Sequence, residues 1–225
     1  MKTAILIDGA YFVKRYRALY PEKHDEPIED TVSNLYAGAI NLLRKANRPP
    51  RSRELYRIFF YDCPPLAKYI HNPVSQRGER LAESREAIFR HSLHEQLKRQ
   101  RKVALRLGRL DENNARWELK GDLLKKLLRG TLEVKDIQPT DVFYHARQKG
   151  VDMKIASDIA SLAHGGHVDQ IILVAGDSDF VPAAKLARRN GIDFVLDPMW
   201  NHINPDLFEH IDGLCGGWKN PRNST

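Results

Sequence analysis

Only two cysteines, Cys63 and Cys215, occur in the 225 residues. They stand far apart and form no Cys-x-x-Cys pair, which argues against a disulfide framework and against a zinc ribbon. Continuous apolar runs are short. None approaches the roughly 18 residues that a membrane-spanning helix needs, so no membrane partner is expected. The N-terminal apolar stretch meets an acid already at Asp8, too soon for the apolar core of an export signal. A reducing, cytoplasmic compartment is the expectation that follows. Internal repeats and low-complexity tracts are absent, and Gly165-Gly166 makes no phosphate-binding fingerprint. Among the histidines, His91 and His94 lie three apart on a helix-like segment but lack a third ligand, so a zinc site is not expected.

What the chain does have is charge. Lysine and arginine number 36 against 29 acids, for a net charge of +7. That balance suits a nucleic-acid partner without proving one. The cations crowd the middle: Arg44, Lys45, Arg48, Arg51 and Arg53, then residues 77–102, then 120–129. Motif-bearing segments near the two ends carry aspartates instead. An acidic centre in a basic protein fits an enzyme that holds a cation at its heart and phosphate around it.

The apolar patterning sets the fold class. Residues 3–7 (Thr-Ala-Ile-Leu-Ile) form a continuous apolar run that ends at Asp8-Gly9, the signature of a strand buried on both faces. Residues 28–46 have helical spacing, with residues 47–50 as the stop. Residues 55–61 are β-branched and aromatic and predict a second strand. Residues 66–100 are polar and basic with a mostly helical pattern; 103–110 predict a strand, 111–116 a loop, and the leucines within 121–139 a short helix. A helix over 151–163, a strand over 170–175, a helix over 180–189 closed by Asn190-Gly191, and a strand over 192–196 complete the pattern. This rhythm predicts a doubly wound α/β fold, with a mainly parallel central sheet flanked by helices. No Gly/Ser/Pro-rich linker brackets residues 66–140, so they are expected to be a basic helical elaboration of a single domain spanning 1–225. Residues 216–225 are expected to form a flexible tail.

In open α/β sheets, ligands bind beyond the carboxyl ends of the strands, where the strand order reverses. That rule selects Asp8 at the end of the first strand, and Asp177 and Asp179 after the strand ending at Ala175. Asp152 opens a helix where a strand would hand over to it. Carboxylates brought together there repel one another unless a cation compensates them, and hard oxygen ligands suit Mg²⁺ or Mn²⁺. Each acid also has a bland reading. Asp8 before Gly9 suits a turn, and Asp152 and Asp177 suit helix caps. Taken singly the bland readings have even odds or better; jointly they require every acid to fall at a strand end by accident. Asp158 and Ser178 fit supporting positions behind the four.

Three stretches resemble the NYN domain, particularly its LabA-like branch. They are Ile-Leu-Ile-Asp8-Gly9-Ala10-Tyr11-Phe12, then Gln-Lys-Gly-Val-Asp152 through Asp158, then Ala-Gly176-Asp177-Ser178-Asp179-Phe180-Val181-Pro182. The resemblance spans most of the chain but leaves its middle third poorly covered. It implies a PIN-like nuclease fold and metal-dependent RNA cleavage, with Asp8, Asp152, Asp177 and Asp179 holding Mg²⁺ or Mn²⁺ and water as the nucleophile. Many NYN members carry Asn two residues after the first Asp; here that place is Ala10.

Tyr11 and Lys14, just after the first acid, and Lys149 and Lys154, around the second, are the candidate contacts to a single-stranded RNA. Aromatics beside cations can stack bases, although core packing explains such aromatics as well. The basic middle is the expected phosphate tracker, against the commoner fate of charge runs as solvated faces. A homodimer is compatible with the sequence. Two rivals remain: an RNA-binding or regulatory module of the same shape that does not cut, and a phosphotransferase of another doubly wound family. The second is disfavoured because Asp8-Gly9-Ala10 lacks the paired acid of an Asp-x-Asp nucleophile. The reading commits to one topological outcome: the strands near 3–8, 55–61, 171–175 and 192–196 lie parallel in one sheet, the first and third adjacent at its centre. An antiparallel or all-helical structure would refute it.

Overall fold

The computed structural model describes residues 1–45 and 53–220. The stop expected at residues 47–50, and Arg48 and Arg51, lie outside them. The chain forms two compact units: one from Met1–Asp62, Ser92–Gly108 and the residues from Gly150 on, the other from Cys63–His91 and Arg109–Lys149.

The first unit is built on a six-stranded parallel sheet. Its strands are β1 (Lys2–Asp8), β2 (Glu54–Asp62), β3 (Val103–Leu107), β4 (Gln170–Val174), β5 (Asp193–Asp197) and β6 (Gly213–Leu214). The spatial order is β6-β5-β4-β1-β2-β3. β1 is therefore central and pairs in parallel with β2 on one side and β4 on the other, with Ile7 opposite Val174 and Asp8 opposite Tyr61. The expected topology holds. Helices α1 (Gly9–Leu19) and α2 (Ile28–Lys45) link β1 to β2, and α3 (Arg85–Lys98) precedes β3. Helix α4 (Val151–His164) leads into β4, and α5 (Val181–Arg189) links β4 to β5. Growth from β1 runs first one way and then, from β4, the other. Right-handed crossovers consequently lay α1 and α2 on one face and α4 and α5 on the opposite face.

Burial explains why the run in β1 lacks alternation. Ala4, Ile5, Leu6 and Ile7 are fully buried, as are Ile171, Ile172, Leu173 and Val174 of β4. A strand covered on both faces needs apolar residues at every position, and each such isoleucine or leucine contributes about 1.5–3 kcal/mol on burial. No helix among the described residues is long and apolar enough to cross a membrane.

Two expectations need correction. The middle third is not mainly helical. The second unit holds three two-stranded antiparallel pairs: Tyr69–His71 with Gly78–Arg80, Arg109–Leu110 with Gln148–Lys149, and Arg116–Leu119 with Val142–His145. Its short helix is Leu123–Leu128. Strands of two to four residues are too short to show a period, and the first hairpin turns on a local bond set, with Asn72 Oδ1 accepting from the Val74 and Ser75 amides. The expected strand over 103–110 is split at Gly108: residues 103–107 join the central sheet and 109–110 pair elsewhere.

The tail is also not loose where it is described. Trp218 is 4% exposed, its indole N–H donates to the Asn34 carbonyl at 3.2 Å, and the Gly217 amide donates to Asp197 at 2.8 Å. The Trp218 ring lies over α2 at Gly38, where an added Cβ would stand 2.1 Å from a ring atom. Gly38→Ala should therefore force the indole or the helix to shift and destabilise the protein by about 1–3 kcal/mol. Chemical unfolding monitored by near-UV ellipticity checks this; wild-type stability would show that the Trp218 seat is slack.

Candidate active site

The strand order reverses between β1 and β4, and Asp8, Asp177 and Asp179 lie at the carboxyl ends of these two strands. Asp8 is the last residue of β1 and precedes α1 directly. Gly9 follows it because an added Cβ there would stand 2.6 Å from the Tyr61 carbonyl of β2. Asp8 Oδ1 accepts the Tyr11 amide at 3.0 Å, so the residue caps α1 as well. Burial pushes its carboxyl up to about 6, with the charges of Asp152 and Asp62 adding to the shift and the Tyr11 amide opposing it.

Asp177 and Asp179 lie in the loop after β4. Asp177 Oδ1 accepts the Asp179 amide at 3.1 Å, capping the short turn Ser178–Phe180. Both side chains are exposed. Asp152 sits in the first turn of α4. The expected strand-to-helix handover there is replaced by a different arrangement: Gln148–Lys149 pairs with Arg109–Leu110 and is no part of the central sheet, and Gly150, left-handed at φ 82°, precedes the helix. Asp152 is thus neither a strand-end acid nor the helix cap. Its carboxyl is nonetheless pushed above the usual range by partial burial and then by the charges of Asp177 and Asp179. Asp152 accordingly feels Asp177 and Asp179, and Asp8 feels Asp152. Among the described residues, however, no three His, Cys, Asp or Glu side chains converge closely enough to hold a metal by themselves.

A cleft of about 510 Å³ opens at this point, lined by Asp8, Ala10, Tyr11, Lys14, Gly176, Asp177, Ser178 and Asn204. Tyr11 does more than offer a ring. Its hydroxyl donates to the Pro198 carbonyl at 2.6 Å, and burial pushes that hydroxyl up to about 12. Gly176 is required by the same ring, since an added Cβ would stand 2.4 Å from Tyr11 Cε2. Lys14 is exposed one turn further along α1 and lines the cleft. Lys154 is exposed on α4. Lys149, in the second unit, is taken up by Asp111 at 2.7 Å.

Asp158 stands apart from the acidic group. Its Oδ2 accepts from the Tyr61 hydroxyl at 2.9 Å and from Arg106 Nε at 3.2 Å, contacts that lock α4 to β2 and β3. Several cations of the basic middle are also occupied on the surface: Arg80 by Glu83 at 3.2 Å, Arg90 by Glu86 at 2.8 Å and Lys98 by Glu95 at 2.6 Å.

Two residues escaped the sequence reading. Asn204, at the cap of the helix Pro205–Glu209, reaches the cleft from a loop that no motif marks. Asp62 ends β2 beside Asp8 and is buried against His94 Nε2 at 2.9 Å. The strand-end rule that found Asp8 applies equally to Asp62, but Cys63-Pro64-Pro65 after it reads as a plain stop.

The raised carboxyl of Asp8 has a stability consequence. Its folded value lies above its unfolded one, so the folded state binds the extra proton between about pH 4 and 6. Stability from this group is present below that window and is lost as pH rises through about 6. Asp8→Asn keeps a capping oxygen and removes the penalty. The metal-free variant should exceed wild type by roughly 1–3 kcal/mol at neutral pH, a gap that closes towards pH 4. Urea unfolding at both pH values checks the sign; a variant less stable at neutral pH would refute it.

No curated protein matches the chain. The NYN domain family does, over residues 67–207. The match takes in the middle third that the three motifs left poorly covered, includes Asp152, Asp177 and Asp179, and begins after Asp8. It spans more than half of the chain, and with the parallel sheet and its flanking helices it establishes that this chain belongs to the NYN domain family, a group of nuclease-like, RNA-related α/β domains.

Proposed function

We propose that this chain is a metal-dependent ribonuclease of the LabA-like NYN branch, with a PIN-like fold, acting on single-stranded RNA in the cytoplasm. The observation that carries the reading is the placing of the acids at the sheet's reversal point: Asp8 ends β1, Asp177 follows β4, both line one cleft, and Asp152, raised first by burial, also feels the charges of Asp177 and Asp179. A fold keeps uncompensated carboxylates together at a cost, and a cation is the usual compensation.

The donor set suits Mg²⁺ or Mn²⁺ rather than a closed cage. Mg²⁺ takes one or two carboxylates and completes its shell with waters and substrate phosphate oxygens, so acids that meet in pairs answer its demand. Asp8, Asp152, Asp177 and Asp179 would hold it. When bound, such a cation supplies a water activated for attack on phosphorus and offsets the charge that builds on the phosphate. The protein's own residues do the positioning. The Tyr11 amide and the strand end hold Asp8 in one orientation, and the Asp179 amide does the same for Asp177. Lys14 brings an ammonium into the cleft for a phosphate oxygen. The Tyr11 ring forms a wall that its bond to Pro198 keeps fixed. No side chain has to act as a nucleophile.

A second reading, an RNA-binding module that does not cut, draws on Ala10 and on the lack of three converging ligands among the described residues. Cleavage of a labelled unstructured RNA with Mn²⁺, with Mg²⁺ and with excess chelator separates the two. Asp177→Asn should lose more activity than the roughly 10–100-fold that changes behind the ligands cost. Asp158→Asn, which disturbs only the bonds to Tyr61 and Arg106, should stay within that smaller range. Metal-free stability of Asp177→Asn should be unchanged or slightly higher, since Asn caps nearly as well as Asp. Cleavage that survives chelation, or an active Asp177→Asn protein, would end the metal-nuclease reading; RNA binding with no cleavage under any condition would select the binding module.

A further inference from the structure

The loop after β5 carries a backbone feature that the fold itself does not require. The Asn201 amide donates to the Pro198 carbonyl at 2.9 Å, closing a four-residue turn. Both central residues have positive φ, 45° at Met199 and 61° at Trp200. Turns of this type ordinarily place Asn, Asp or Gly at the two positions, because other side chains crowd the backbone there. Methionine followed by tryptophan is an unfavourable choice. Strain of this kind persists only where the surroundings over-determine it, and it concentrates at ligand-binding and active sites.

Here the surroundings do over-determine it. Asp197 Oδ1 accepts the Met199 amide at 2.8 Å. Arg15 Nε and Nη2 both donate to the Met199 carbonyl, at 3.2 and 2.9 Å. The Met199 side chain is fully buried. What these bonds leave presented is Trp200. It is 50% exposed, yet its orientation is fixed, since the indole N–H donates to the Trp218 carbonyl at 2.8 Å. The turn is also tied to the wall of the acidic cleft through Tyr11. Pro198 receives the Tyr11 hydroxyl, and Tyr11 and Asn204 both line that cleft.

We infer that Trp200 is a stacking platform for one unpaired base of a single-stranded nucleic acid whose phosphate backbone occupies the aspartate cleft. The inference deepens the proposed ribonuclease reading and rests on it. A rigid, half-exposed indole offers a base a large π face at little cost in side-chain entropy. Stacking tolerates any base, because every base has such a face. Lys14 and Arg15 on α1 and the net charge of +7 favour a polyanion over an acidic or neutral surface.

The test uses the whole chain with Ca²⁺ in place of Mg²⁺ or Mn²⁺, so that the carboxylates are compensated and binding is read without cleavage, and a fluorescently labelled, unstructured adenine-rich RNA. Trp200→Ala should weaken binding about 5- to 100-fold. Trp200→Phe, which keeps an aromatic face and loses only the N–H bond, should retain most of the affinity. Replacing the stacked nucleotide by an abasic one should cost the wild type as much as Trp200→Ala does, and should cost Trp200→Ala nothing further. Intrinsic fluorescence should be quenched on binding in the wild type and not in Trp200→Phe. Should Trp200→Ala unfold, the phenylalanine variant and the abasic series along the RNA decide the question. Unchanged affinity in Trp200→Ala, or alanine and abasic losses that simply add, overturns the inference while leaving the ribonuclease reading intact. Tight binding with loss at Trp200 but no metal-dependent cleavage upholds the platform and ends the ribonuclease reading. A wild-type chain that binds no RNA overturns both, and would return Trp200 to the class of exposed aromatics that meet a protein.

Discussion

A carboxylate largely withdrawn from water at the end of a central parallel strand is the constraint on which the site depends. Asp8 cannot move away from its neighbours, because β1 is paired on both sides and its preceding four residues are fully buried. Burial is the largest cause of the rise in its carboxyl, and Asp152 and Asp62 add to it from α4 and β2. Hydrogen bonds from the Tyr11 amide and, more weakly, the Ala10 amide work in the opposite direction. The balance leaves a group that titrates near 6 rather than near 4, so near neutral pH the folded chain carries charge that it would be more stable without. The capping bond and the unfavourable charge coexist at this one residue.

Tyr11 is the residue through which that constraint reaches the rest of the cleft. Its amide holds Asp8, its ring occupies the space that the absent side chain of Gly176 leaves open, and its hydroxyl holds the Pro198 carbonyl. These contacts join the turn after β1, the loop after β4 and the loop after β5. A residue read from the sequence as a candidate stacking aromatic is thus committed mainly to scaffold. The exposed stacking surface lies one step away, on Trp200, at the far end of the carbonyl that Tyr11 grips. Preorganisation follows, since loops tied to one another by a partly buried aromatic do not have to order when a ligand arrives.

Much of this was legible in the sequence, for a physical reason. Parallel strands buried on both faces leave continuous apolar runs, and residues 3–7 and 170–175 have them, so β1, β4 and the reversal between them could be placed. The Asp8, Asp177 and Asp179 positions followed from that placement. The strand expected to hand over to Asp152 is not part of the central sheet, because Gln148–Lys149 pairs outside it. Strands of two to four residues leave no periodic trace, and so the pair Tyr69–His71 with Gly78–Arg80 was lost within a stretch that reads as helix. Asp62 was hidden by a stop sequence, and its buried partner His94 lies 32 residues further along the chain, a pairing that no local pattern shows. The Met199-Trp200 turn was invisible because its residue types argue against the conformation they adopt.

Ala10 puts a methyl group at the cleft wall, and Asn204 reaches the same cleft from the loop beyond the strained turn. Asn204 Oδ1 already accepts the Asp206 amide at 2.9 Å, so its capping bond fixes where the amide stands. Its amide nitrogen can only donate, as can Lys14 in the same wall. Asn204 and Lys14 are thus donors in a cleft that Asp8 and Asp177 also line. The loop after β5 carries both Asn204 and the half-exposed Trp200, and the bonds from Arg15, Asp197 and Tyr11 hold its strained turn in shape.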